Sequence, residues 1–146
     1  MFKFRLEPLI TIRDNVLKEC QAELAKAYEA RRILEGMQNE IETVLANNIT
    51  EGRQRMQPGQ QVNVNHLLGL RQQEVFLRGR YEKIAQDIKI IDEEIEKRRE
   101  TVIKANEALK IVEKLKEKRR EKYLQEEKRK ATIMMDEIAS RSKVSV

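Results

Sequence analysis

At 146 residues the chain could form one modest globular domain, but 38 % of its residues are charged, only 4 % are aromatic, and it has no Trp, two Pro and five Gly. Ala, Glu, Lys, Leu and Arg dominate as they do in long helices, which excludes a large three-dimensional core and favours a narrow seam between two helices. The net charge of +5 is unevenly placed: residues 113–146 carry 11 basic and 7 acidic groups, so nearly all the excess lies in the last quarter.

The opening stretch, Met1-Phe2-Lys3-Phe4-Arg5-Leu6-Glu7-Pro8, is broken by charge at every second or third position. It reads as neither a signal peptide nor a membrane span. No later segment approaches the apolar length of a transmembrane helix, so a soluble protein with no transmembrane segment is expected. From Leu6 a three-four rhythm sets in: Leu6, Ile10, Arg13, Leu17, Cys20, Leu24, Ala27, Arg31, Leu34, Gln38, Ile41, Leu45 and Asn48. This is the seam of a coiled-coil helix, with Pro8 tolerated in the first turn. The polar seam residues Arg13, Arg31, Gln38 and Asn48 weaken it and serve to set register and pairing direction. Cys20, the only cysteine, excludes an internal disulfide, fits a reducing compartment and reads as a buried structural thiol.

Between Ile49 and Asn65 the rhythm fails, and Gly52 and Gln57-Pro58-Gly59-Gln60 gather there. Pro presets one turn dihedral and Gly accepts a positive one, so the chain reverses; Asn63 or Asn65 can cap the second helix. A second, stronger seam then runs through Leu67, Leu70, Glu74, Leu77, Tyr81, Ile84, Ile88, Ile91, Ile95, Arg98, Val102, Ala105, Leu109 and Val112. Twelve of these 14 positions are apolar. One helix cannot bury its own seam, and two stripes of similar length joined by a short loop bury each other most economically within one chain.

The expected fold is therefore all-α: an antiparallel two-helix coiled-coil hairpin with a protruding C-terminal helix, folded from one chain as a monomer. It is expected as one domain over residues 1–146, with helix 1 over about 6–50, a turn over about 51–64, and helix 2 over about 65–142, overhanging helix 1 after about 112. If Asn48 lies opposite Leu67, Leu6 lies near Leu109. At 1.5 Å per residue the paired part spans about 65–70 Å and the overhang about 45 Å. Gly36, Gly69 and Gly79 fall on outward positions, where each weakens its helix by about 1 kcal/mol relative to Ala.

Past Val112 the seam loses its apolar character, and from Glu113 to Lys130 nine residues are basic and five acidic. Leu124, Ala131, Met135 and Ile138 then form a new stripe, with Met134 beside it and nothing left in the chain to cover it. Exposed Met and Leu at helical spacing on a charged arm suit docking to another protein. Leu68, Val75 and Phe76 also lie off the seam, as either a widened core near the loop or a second contact surface.

No catalytic constellation accompanies these features. The chain lacks a Gly-rich phosphate loop and paired metal-ligand spacing, and its only histidine, His66, reads as a solvent-exposed or capping residue. No catalytic residue, metal site, cofactor or enzymatic activity is expected. The basic residues Lys114, Lys116, Lys118, Arg119, Arg120 and Lys122 raise the alternative of an RNA-binding arm. Interleaved acids and the lack of an aromatic platform beyond Tyr123 weigh against nucleic acid. A homodimeric structural coiled coil is the other alternative.

The motifs resemble those of the FliJ family, small coiled-coil components of the bacterial flagellar type III export apparatus. The resemblance rests on Phe2-Lys3-Phe4-Arg5-Leu6-Glu7-Pro8-Leu9-Ile10 with Arg13, on Glu23-Leu24-Ala25-Lys26-Ala27, on Glu113-Lys114-Leu115-Lys116-Glu117-Lys118-Arg119 with Tyr123, and on Asp136-Glu137-Ile138-Ala139 with Arg141. It implies a non-enzymatic rod, like the central stalk of rotary ATPases. Such a rod promotes assembly of the hexameric export ATPase, reaches the cytoplasmic domain of the export gate membrane protein, and escorts export chaperones. It would work in the cytoplasm, peripherally associated with the inner membrane at the flagellar base. On this resemblance Phe2, Phe4, Leu6, Lys116, Arg119, Arg120, Lys122, Tyr123, Met135 and Ile138 form the ATPase end. Leu68, Gln72, Val75 and Phe76 form the export-gate end.

Overall fold

The computed structural model describes residues 1–144. Two helices account for the fold, α1 (Glu7–Arg55) and α2 (Val64–Val144), packed against each other as an all-α hairpin with no strand among the described residues. Burial follows the seam. On α2, Ile84, Ile95, Leu109 and Val112 are buried and the remaining seam positions up to Lys116 are half-buried. On α1, Ala27 and Ile41 are buried, and only Arg13 of the seam is exposed. Cys20 is half-buried rather than buried, because a two-helix seam leaves its flanks open to water.

The turn uses the residues that turn chemistry requires. The amide of Gln60 donates to the carbonyl of Gln57 at 3.3 Å, and Gly59 between them has φ of +88°, the left-handed value that a type II turn places at its third residue. Asn63 caps α2, its Oδ1 accepting from the backbone amide of His66 at 3.2 Å. The imidazole Nε2 of His66 lies 3.0 Å from Glu51 Oε1, tying the start of α2 to the end of α1.

Because α1 runs on to Arg55, the register differs from the one expected. Glu7 meets Lys116 at 2.8 Å, Arg31 meets Asp92 at 2.6 Å, and Asn48 donates to Gln73 at 2.9 Å. Partners on α2 thus lie up to roughly two helical turns beyond those that follow from setting Asn48 opposite Leu67. Gly52 alone did not end α1, since one Gly costs only about 1 kcal/mol; the Pro58-Gly59 turn did.

Packing resolves into two compact units: Met1–Cys20 with the chain from Thr101 onward, and Gln21–Glu100. Within the second unit the polar seam residues bond across the helices. Arg31 reaches Asp92, Gln38 Nε2 donates to the Tyr81 carbonyl at 3.5 Å, and Arg98 donates to the Glu23 carbonyl at 2.6 Å.

Within the first unit the cover extends past Val112. Residues 1–4 are non-helical, and Phe2, Phe4 and Leu6 are buried or half-buried while Met1, Lys3 and Arg5 are exposed. From Met1 to Phe4 this alternation is that of an extended strap laid on a surface, and Arg5 and Leu6 then turn into α1, the Glu7 amide donating to the Phe4 carbonyl at 3.2 Å. At about 3.3 Å per residue, a two-residue step from Phe4 to Phe2 matches a four-residue step along α2 at about 1.5 Å each. Phe4 accordingly sits under Arg119, and Phe2 against Tyr123. The overhang therefore begins after Tyr123, not after about residue 112.

Candidate functional site

The strap builds a compact cluster at the terminal end. The Phe2 and Tyr123 rings lie 5.6 Å apart at a tilt of 44°, and the Met1 ammonium donates to Tyr123 Oη at 3.0 Å. The Arg119 guanidinium stands 5.8 Å from the centre of the Phe4 ring, within cation–π range. Phe4 is only 8 % exposed, so its ring anchors the strap and is not itself open to a partner. Glu7 pairs with Lys116, and Leu6 is half-buried beside them. Five of the residues singled out from the sequence are thus brought together, Phe2, Phe4, Lys116, Arg119 and Tyr123, with Leu6 half-buried at the start of α1.

Arg120 and Lys122 are exposed beside this cluster, and no hydrogen bond or ion pair among the described residues holds their side chains. Met135 and Ile138 lie further along α2, 68 % and 58 % exposed. Every described residue from Leu124 onward is exposed, including Leu124, Ile133 and Met134. The helix there is held by its own backbone hydrogen bonds and by local pairs such as Lys130 with Glu127 at 4.0 Å. An isolated helix of this kind has no tertiary face to stabilise it, and a partner would supply one.

Near the turn, Leu68, Gln72, Val75 and Phe76 share the outward face of α2. Leu68, Val75 and Phe76 are 54–64 % exposed, which excludes the widened-core alternative for them. Pairing does not account for three large apolar side chains held in water. On the seam side of the same region, Leu45, Ile49, Met56, Leu67 and Leu70 line an open cleft of about 250 Å³. Sequence reasoning missed Ile49 and Met56 because both stand where the three-four rhythm fails.

The charged groups are those of a solvated surface. Hydrogen bonds from His66 and then Arg55 hold Glu51 below the ordinary carboxylate range. Arg71 does the same for Glu74, and Lys26 for Glu23. Glu42 accepts from Tyr81 Oη at 2.8 Å and pushes that phenol upward. Among the described residues no group of three or more His, Cys, Asp or Glu side chains is placed to hold a metal ion. No described helix is long and apolar enough to cross a membrane.

Comparison with known proteins places these features in a family. The profile of the family described as Flagellar FliJ protein matches residues 2–143, almost the whole chain. No curated protein and no solved structure matches it.

Proposed function

The chain belongs to the FliJ family, a flagellar, export-associated family that is not a family of enzymes, and from that premise we propose that it acts as the stalk-like coupling component of an export ATPase. Its terminal end engages the hexameric ATPase and promotes its assembly. The strap cluster presents Lys116, Arg119, Arg120 and Lys122 as a basic collar, and the arm beyond it offers Leu124, Met135 and Ile138. The face of Leu68, Gln72, Val75 and Phe76 contacts the cytoplasmic domain of the export gate, and export chaperones are escorted by the same protein. The work is done in the cytoplasm, at the inner membrane beneath the flagellar base.

The observation that supports this most is the uncovered arm. A long helix that keeps apolar residues exposed after its intrachain partner has ended is built to be covered by something else. The basic collar beside it favours an acidic protein surface and a salt-sensitive association rate. Addition of the protein to the cognate export ATPase is expected to speed ATP hydrolysis and shift the ATPase toward hexamers in sedimentation. An unchanged rate together with an unchanged oligomer distribution would overturn the reading.

A further inference from the structure

Arg31, Arg32, Arg55, Arg71 and Arg98 are each held by a carboxylate of the chain itself. Arg119 is held by a ring instead: its guanidinium stands 5.8 Å from the centre of the Phe4 ring, and no hydrogen bond or ion pair among the described residues engages it. The side chains one turn away on the same face of α2 are Leu115, Lys116, Lys122 and Tyr123, none of them acidic. Glu117 and Glu121 stand two positions away, which on a helix does not face Arg119. Glu7, the acid at the start of α1, is already engaged by Lys116 at 2.8 Å. Arg119 is therefore an exposed guanidinium whose N–H donors have no acceptor among the described residues.

A ring contact fixes a guanidinium without giving its donors an acceptor, because the attraction is between the charge and the ring quadrupole. Phe4 is itself fixed, being only 8 % exposed. A free surface arginine loses rotamer freedom when it binds, and one already held over a ring loses less. The fork of N–H donors matches a carboxylate through two parallel bonds, a geometry that an ammonium cannot reproduce. A polyanion is disfavoured, since Glu117, Glu121, Glu126 and Glu127 recur along the same stretch of α2 and would repel a row of phosphates. We propose that Arg119 receives a single Asp or Glu side chain of the export ATPase in a bidentate pair, and that Phe4 is the positioning residue that holds it for that contact. The inference rests on the stalk-like reading given above and adds to it the chemistry of one contact and the task of the strap.

The test is a double-mutant cycle on the full chain, read as the dissociation constant for the cognate export ATPase in isothermal titration calorimetry. Arg119→Lys keeps the charge but loses the fork, and is expected to weaken binding about tenfold. Phe4→Leu keeps an apolar anchor in the strap but removes the ring face, and is expected to weaken binding about two- to fivefold. In an Arg119→Ala background the same Phe4→Leu change should have no further effect, since Phe4 acts only through the guanidinium. Arg119 is exposed, so its variants should keep the wild-type helicity in circular dichroism. Equal affinity of wild type and Arg119→Lys would overturn the bidentate contact. An equal loss from Phe4→Leu with and without Arg119 would make Phe4 a structural anchor only and overturn its positioning role. Either outcome would leave the stalk-like reading standing, whereas a wild-type chain that does not bind the ATPase would overturn that reading and this inference with it.

Discussion

Gly36 and Gly79 stand at outward helix positions, and an added Cβ at either would meet nothing within 4 Å. Neither glycine serves close packing, so each simply costs helix propensity. Gly79→Ala and Gly36→Ala are expected to stabilise the protein by about 0.5–1 kcal/mol each in chemical denaturation. Gly59→Ala should act the other way, because that residue holds a positive φ in the turn. The paired carboxylates predict the acid limb of stability. Glu51, Glu74 and Glu23 titrate lower in the folded chain than in the unfolded one, so the unfolded chain takes up protons first. Their contribution is present above the ordinary carboxylate range and is lost as pH falls through the lowered native values. Tyr81 has the opposite sense, and its contribution is lost in strong alkali. Glu23 is exposed and Glu51, Glu74 and Tyr81 are half-buried on open flanks of the seam, where water still screens them, so the effects should be small. Melting curves against pH should therefore show a shallow acid decline that Glu74→Gln flattens.

The elements pair in a register that a short crosslinker can read. In a Cys20→Ser background, cysteines at 31 and 92 should be joined within one chain by a short bis-maleimide, whereas cysteines at 31 and 84 should not. The reverse outcome would restore the register in which Asn48 faces Leu67. The strap gives a second expectation at this scale. Phe4→Ala removes the most buried side chain of the strap, and hydrogen exchange should rise around 116–123 while amides within 21–100 keep their protection. The two seams were legible because period and burial coincide, from Ala27 and Ile41 to Ile84 and Leu109. The register was not, because it depends on where α1 stops. Thr50, Glu51 and Gln54 carry no seam signal yet remain helical, and only Pro58 and Gly59 force the reversal. The strap was half-legible: Phe2, Phe4 and Leu6 alternate with Lys3 and Arg5, a two-residue period easily overlooked beside a long helical one.

For the molecule as a whole, the seam explains why the chain folds and leaves open what it is for. The candidate surfaces are the residues that pairing does not consume: the basic collar around the strap, the arm after Tyr123, the face of Val75 and Phe76, and the exposed Ile12 and Ile111. The collar and the arm could be foreseen, since charge and a lost period are visible in a linear string. Action of the terminal end on an export ATPase would be read in the rate of ATP hydrolysis of the cognate export ATPase titrated with wild type, with Arg119→Glu, Arg120→Glu, and with Val75→Ser, Phe76→Ser. Stimulation by the wild type, lost in the arginine variant at unchanged helicity and kept in the turn-proximal variant, is the predicted result. Failure of the wild type to stimulate, or full stimulation by the arginine variant, would contradict it.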